Sequence, residues 1–523
     1  MPKIVIREID KTTAGGAAYA NFAVVVPGFY SAADDATNKT GKFAFDENGV
    51  FECNSQELFA TKVGFTSSIE HKISNAKAPT RSAGWEDGPK ALTDTTFKSL
   101  ITTGKLYVAD VNDTGVVAGG ADEEYEYREA LATGGNYVFK PTEETPDEGY
   151  TLFMSLDDLG YDEIKEAHYG NQIAYELLGL GYTVLYKRIE DSASLEDEEF
   201  WRPLKDKTLY DFRYLMSGLV RGNLTVYKNM VKVAEFAASE DSKMSPFDGV
   251  GVTTHGRGDC IALLDIDETA YTKNGASMSQ TTAIESVLSF AKQNIPKSKY
   301  AAVFAPAVKY TTGSLTNYKA FGENQWFPAS FHYLACAARS SERYNEWYAN
   351  AGYTRGVSNY TIDSVGCKFG EAAVNMFQKR AIDADNNAEL AINPIINLRG
   401  SYYIWGNRTT YGLESDLRAS HFLNIRQLCS TIKKKVYVAC RQLTFDPNSD
   451  MLWVNFCNSI KPLLEQMKAD QGIADYKIIK QKTNRKAFLA VVIRIVPIEA
   501  VEDFDISIHL EDSLEGVIAT AEE

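Results

Sequence analysis

The stretch Leu263–Thr269, LLDIDET, closes an apolar run with two carboxylates spaced two residues apart. In the pattern hhhhDxDxT, the first carboxylate (Asp265) would attack phosphorus and the second (Asp267) would protonate the leaving oxygen. Such chemistry also needs a hydroxyl, a lysine and a downstream acidic pair to hold Mg²⁺. Lys309 and the pair Asp383/Asp385 are available, but no strand-end motif marks them. A buried strand running into an acidic loop accounts for the same residues and is the favoured reading. No GxxxxGK[ST] loop accompanies the segment; TGKF and TGKL lack the glycine spacing and the hydroxyl. The six histidines stand singly, none at metal-ligand spacing, and no GxSxG elbow occurs. The expectation is a protein that is not an enzyme and takes no cofactor or metal.

The elements that would position such groups are ordinary in composition. Hydrophobic residues make up 44% of the 523 and charged residues 24%, so folded domains are expected, and the length calls for more than one. The 29 Tyr and 26 Phe suit either an aromatic core or extensive subunit interfaces. A net charge of −16 argues against nucleic acid as a partner. The seven cysteines include no CxxC pair and are read as reduced thiols. No signal sequence or membrane-inserting span is expected.

Along the chain, residues 3–9, KIVIREI, are β-branched and read as a strand ahead of any core. NFAVVVPGF is a buried strand. Residues 31–150 are polar and loop-rich, and read as a surface insertion. Beyond 151, GNQIAYELLGLG, YTVLYKRI, CIALLDI, TTAIESVLSFAKQ, YAAVFAP and KFGEAAVNMFQKRA alternate between helix and strand, which indicates α/β packing. A long helix is expected from about Asp416, its N-cap, toward Leu443, with Ile425, Leu428, Cys429, Ile432 and Val436 as its apolar stripe. A second helix follows TFDPN and carries Trp453, Phe456, Ile460, Leu464 and Met467 at core spacing, with a kink expected at Pro462. YKIIK, KAFLAVVIRIV and FDISIHL read as strands. The last alternates cleanly, with Phe504, Ile506, Ile508 and Leu510 on one side.

Charge is segregated at this end. Residues 477–494 hold six Lys/Arg and no acid, whereas residues 495–523 hold nine Asp/Glu and no Lys/Arg. The first long helix carries Arg418, Arg426, Lys433, Lys434, Lys435 and Arg441. Basic groups late in a helix complement its dipole, which is the bland explanation; the sharper one is a contact with an acidic partner surface.

Residues 393–504 carry a family resemblance. INPIINLRGSYYIWGNRTT resembles the contractile tail sheath pattern of an Asn-rich entry, an Arg-Gly turn and WG.RT, through Asn393, Asn397, Arg399, Trp405, Gly406, Arg408 and Thr409. HFLNIRQL resembles a family helix through Asn424 and Arg426, with Gln427 where a second Arg is common. FDPNSDMLW resembles the family joint through Phe445, Pro447, Asn448 and Trp453, and TNRKAFLAVVIRIVPIEAVEDF resembles the closing strand through Pro497 and Glu499. VIREID, AVVVPG, SQELFATKVG and RGDCIALLDID look like weaker upstream matches. The Asp265/Asp267 segment also resembles the first motif of haloacid-dehalogenase-type phosphatases, the alternative function.

The sheath resemblance implies an α/β (α+β) multidomain chain. It comprises a linking arm at 1–20, an outer α/β domain at 21–387 with the insertion around 31–150, an inner domain at 388–503 built from both chain ends, and a linking strand with an acidic tail at 504–523. It implies hexameric rings of sheath subunits, stacked helically around a tail tube protein, which contract to drive the tube through the host envelope. The arms, Ile4, Val5, Ile6 and Ile9 at one end and Phe504, Ile506, Ile508 and Leu510 at the other, would add strands to neighbouring subunits. Arg418, Arg426, Lys433, Lys434 and Lys435 are the candidates to face the tube. Baseplate and tail terminator proteins are the further implied partners. The virion tail is the implied location, with assembly in the host bacterial cytoplasm.

Overall fold

The computed structural model describes residues 23–29, 45–56, 58–59, 106–110, 137–141, 150–154, 173–189, 192–218, 220–235, 256–273, 276–311, 326–378, 390–411, 417–482, 489–498 and 500. The arm at 3–9, the strand at 504–510, Glu499, Asp416 and the pair Asp383/Asp385 lie outside them.

The strands are β1 (Ala23–Phe29), β2 (Val50–Cys53), β3 (Leu106–Asp110), β4 (Tyr137–Pro141), β5 (Tyr150–Met154), β6 (Thr183–Ile189), β7 (Tyr214–Met216), β8 (Ile261–Asp265), β9 (Thr272–Lys273), β10 (Ala276–Ser277), β11 (Ala301–Ala305), β12 (Val308–Tyr310), β13 (Ile362–Val365), β14 (Asn393–Leu398), β15 (Ser401–Ile404), β16 (Ile473–Gln481) and β17 (Ala490–Pro497). The longer helices are α1 (173–179), α2 (Leu224–Ala234), α3 (Gln280–Asn294), α4 (Ala329–Ser341), α5 (Glu371–Gln378), α6 (Leu423–Gln442) and α7 (Asp450–Ala469).

An eight-stranded sheet in the order β15-β14-β11-β8-β7-β1-β6-β2 organises the molecule. It is parallel from β14 to β6, and its two edge strands, β15 and β2, are antiparallel. Every residue of β8 (IALLD) and β11 (AAVFA) is buried, as a parallel strand covered on both faces requires. Successive side chains point to opposite faces, so Val25 joins one core while Val24 and Val26 join the other. Helices α2, α3 and α5 cover the first face, and α1 and α4 the second. The fold is α/β.

Two boundaries differ from expectation. The sheet runs across the division expected at 387/388, because the apolar run NPIINL of β14 pairs with β11, and Asn393 Nδ2 donates to the carbonyls of Val303 and Arg408 at 3.2 and 2.7 Å. Within the region read as loop-rich, 31–150, Phe51, Cys53 and Phe59 are buried in the main core. β3, β4 and β5 form a separate three-stranded sheet there and just beyond it. Polar composition hid these short strands.

Candidate assembly interface

The C-terminal end builds a second, smaller body. Helix α6 begins at Leu423 with Phe422 at its N-cap, six residues beyond the expected cap Asp416, because Phe422 is already bridged to Arg408 and residues 419–421 form a 3-10 turn. α7 is capped by Ser449, whose side chain accepts from Leu452 N, and it continues through Pro462 as a single helix. Phe456, Cys457, Ile460, Leu464 and Met467 are buried against Leu428, Ile432 and Val436 of α6. The chain then reverses at Gln471 (φ 60°) and Gly472, whose amide donates to Met467 O at 2.6 Å. β16 and β17 pair antiparallel and lay Tyr476, Ile478, Val491, Ile493 and Ile495 on that core.

This body is held by polar groups that water does not reach. Arg213, just ahead of β7, donates from Nη2 to Thr431 Oγ1 of α6 at 2.6 Å and from Nη1 to Glu346 at 3.1 Å. Gln427 Nε2 donates to the hydroxyls of Tyr214 and Tyr333 at 2.6 and 2.7 Å. Trp347 Nε1 donates to Asp470 O at 2.8 Å, tying the 342–350 segment to the end of α7.

The family-motif residues fall into two groups. Asn393, Asn407, Arg408, Thr409 and Asn424 form one buried network: Asn407 Nδ2 donates to Asn424 Oδ1 at 2.7 Å, Arg408 N to Asn393 Oδ1 at 2.8 Å, and Thr409 N to His421 O at 2.8 Å. Gly406 sits beside them because a Cβ would lie 2.6 Å from Asn393 Oδ1. Trp405 N donates to Pro394 O at 2.8 Å. Arg399 and Gly400, at φ 53° and 87°, make the tight turn between β14 and β15. The second group lies at the surface: Phe445, Pro447 and Asn448 form the α6–α7 turn, Trp453 is half-buried on α7 and Pro497 ends β17.

Two of the expected tube-facing residues are enclosed within the chain. Arg426 is 2% exposed, with its guanidinium 4.4 Å from the Tyr300 ring centre, and Lys433 donates to Gly258 O at 2.7 Å. Lys434 donates to Phe212 O at 2.9 Å and pairs with Asp211, and burial lowers its pKa. These side chains sit on the face of α6 that packs against the main body. Only Arg418 and Lys435 of the five lie exposed.

The phosphoryl-transfer lookalike is also built into structure. Both oxygens of Asp265 accept from Ser330, from its amide at 2.8 Å and its hydroxyl at 2.5 Å, and burial raises the carboxyl's pKa. Asp267 caps a 3-10 turn through Thr269 N at 3.0 Å. Lys309 pairs with Asp363 at 3.6 Å. A nucleophile must be reachable, and Asp265 is 3% exposed.

What remains accessible at the C-terminal body is the β16–β17 hairpin. Among the described residues, neither of its outer edges pairs with another strand. On its exposed face Lys477 stands directly opposite Arg494. Like charges placed opposite each other destabilise a strand pair, and free edges invite a further strand.

No family model matches the chain. The tail sheath protein of Vibrio phage KVP40 is 23% identical over 270 residues, covering 50% of this chain and 37% of that protein. The tail sheath protein of Enterobacteria phage T4 is 24% identical over 162 residues, covering 31% and 22%. This chain is similar to phage tail sheath proteins. The match spans well under half the length of these curated relatives. Among solved structures, the contracted PVC sheath complex of an extracellular contractile injection system aligns over 99% of this chain and 98% of that chain, at 14% identity and a TM-score of 0.45. A chain of the anti-feeding prophage baseplate aligns over 65% and 80%, at 14% identity and a TM-score of 0.43.

The buried Asp265 and the more exposed Asp267 should respond differently to substitution. Asp265→Asn leaves one Ser330 donor without an acceptor and should destabilise the fold by about 1–3 kcal/mol. Asp267→Asn preserves a cap and should change stability by less than about 0.5 kcal/mol. Denaturant unfolding compares them; a reversed order, or a Mg²⁺-dependent phosphatase activity lost in Asp265→Asn, contradicts the structural role.

Glu346 faces Arg213 and Lys435, yet burial outweighs their attraction and lifts its pKa to about 7. An acid with a raised folded pKa binds more protons folded than unfolded. Its contribution is therefore complete below about pH 4.5 and is lost as pH rises through about 7. Glu346→Gln should match the parent chain near pH 4 and exceed its stability at pH 8 by up to about 3 kcal/mol. A gap independent of pH in thermal melts would contradict this.

Proposed function

We propose that this chain is the structural subunit of a contractile tail sheath. It polymerises as stacked hexameric rings around a tail tube, and repacking of subunit faces during contraction drives the tube through the host envelope. The carrying observation is the β16–β17 hairpin, a basic ribbon on a helical pair anchored to the sheet, whose outer edges pair with no other strand among the described residues. The sequence supplies a complementary segment, since residues 504–510 alternate apolar and polar within a 495–523 stretch that has nine acids and no base. An acidic strand from a neighbouring subunit offsets the Lys477/Arg494 repulsion and satisfies an open edge. Residues 3–9 supply a second arm of strand composition. Arg418 and Lys435 are the surviving candidates to face an acidic tube surface. The subunit acts mechanically, without catalysis or cofactor, through interface energy. Its partners are other copies of itself, the tube, the baseplate and the tail terminator. Its place is the virion tail, after assembly in the host cytoplasm.

Each hydrogen bond of an added strand contributes a net ~0.5–1.5 kcal/mol, and repetition along many rings makes polymerisation depend on short segments. Deleting residues 1–12 should give a folded monomer with a nearly unchanged melting temperature that forms no long tubes. Electron microscopy and calorimetry of both chains check this. Normal tubes from the deletion would remove the arm from the account, and global unfolding would assign the segment to its own chain's core.

A further inference from the structure

Glu346 sits where three parts of the molecule meet. Its segment, 342–350, is tied to the end of α7 through Trp347 Nε1 and Asp470 O, and to α6 through Asn424 Nδ2, which donates to Trp347 O at 3.0 Å. Its carboxylate faces Arg213, just ahead of β7. The side chain is 7% exposed, and Arg213 Nη1 supplies the one hydrogen bond that the carboxylate receives among the described residues. Arg213 is incompletely satisfied in turn, since its buried Nε has no hydrogen-bond partner. A buried ion pair is favourable only when its remaining donors and acceptors are also occupied.

Glu346 also lines a cavity of about 10 Å³, together with Tyr214, Ser340, Tyr344, Asn350 and Gln427. That is room for one water beside a carboxylate short of donors. The cations that face it are Arg213 and, from α6, Lys435. The phenols of Tyr182 and Tyr214 face it from the sheet side, and burial keeps both neutral. Burial of Glu346 outweighs the pull of the two cations, so the closed joint favours the neutral carboxyl.

We propose that Glu346 is a proton-operated latch on the joint between the eight-stranded sheet and the C-terminal body. Neutral, it seats 342–350 and α6 against the sheet. Ionised, it draws water into the cavity, and the joint opens locally more often while the rest of the fold stays closed. The docked arrangement dominates at either extreme, and the proton sets how firmly it is held. The latch stands independently of the sheath reading; under that reading, the joint that transmits force tightens as the pH falls.

A carboxyl whose pKa drops from about 7 to its ordinary 4.5 on opening favours opening about 70-fold more at pH 8 than at pH 5. The Trp347 indole N–H, bonded to Asp470 O, reports that opening through its hydrogen exchange. The test uses the full chain with 15N-labelled tryptophan, the Trp347 signal being identified by its loss in Trp347→Phe. After correction for the pH dependence of exchange in free indole, protection of this proton should fall about 70-fold between the two pH values. In Glu346→Gln it should stay level. Trp201, whose indole donates to Leu195 O at 2.8 Å within the main core, is the control and should not follow. Protection of Trp347 that is level with pH in the parent, or equally pH-dependent in Glu346→Gln, overturns the latch. So does a parallel fall at Trp201, which would assign the cost to the whole fold.

Discussion

A single helix belongs to two cores, and the rest of the architecture depends on that sharing. The first residue of α6, Leu423, packs in the core beneath the eight-stranded sheet, whereas Leu428, Ile432, Val436 and Ala439 pack in the core of the C-terminal body. Twenty residues of helix extend about 30 Å, so α6 acts as a beam between them. Its orientation is set by polar contacts in a region water does not reach. Arg213 reaches Thr431, Gln427 reaches Tyr214 and Tyr333, and Asn424 reaches Asn407 and the carbonyl of Trp347. Any other docking would strand these groups without partners at about 1–3 kcal/mol each. The hairpin carried by α7 is therefore fixed relative to the sheet, and a force on one is transmitted to the other.

Much of this was legible in the sequence where periodicity is strong. The apolar runs of β8 and β11 and the stripe of α7 read correctly, as did the two strands after Gly472. Side-chain period identifies an element whatever it packs against. What periodicity cannot convey is which elements meet. β14 read as part of a separate domain because nothing in NPIINL announces a partner 90 residues earlier. Arg426 and Lys433 read as surface cations for the same reason: the groups that enclose them, Tyr300 and Gly258, are more than 100 residues away. Arg213 and Glu346 were missed because a buried ion pair 133 residues apart leaves no local trace.

The motif residues carry a related lesson. Asn393, Arg408, Thr409 and Asn424 drew notice as a set, and the structure joins them as the buried seam where the last strand of the sheet hands the chain to α6. Their place is structural, and no reacting group is needed to explain them. The surface motif at Phe445–Asn448 is different in kind, since the fold would tolerate glycine at its strained position.

Hydrogen exchange at exposed strand edges reports the central claim, that the β16–β17 hairpin is an incomplete sheet finished by another subunit. Amide hydrogen exchange of the full chain, as monomer and after polymerisation, measures it residue by residue. The account predicts that outward-facing amides of Ile473–Gln481 or Ala490–Pro497 exchange rapidly in the monomer and become protected in the polymer. Amides of the interior strands Ile261–Asp265 and Ala301–Ala305 should stay protected in both. A polymer in which hairpin protection is unchanged would contradict it.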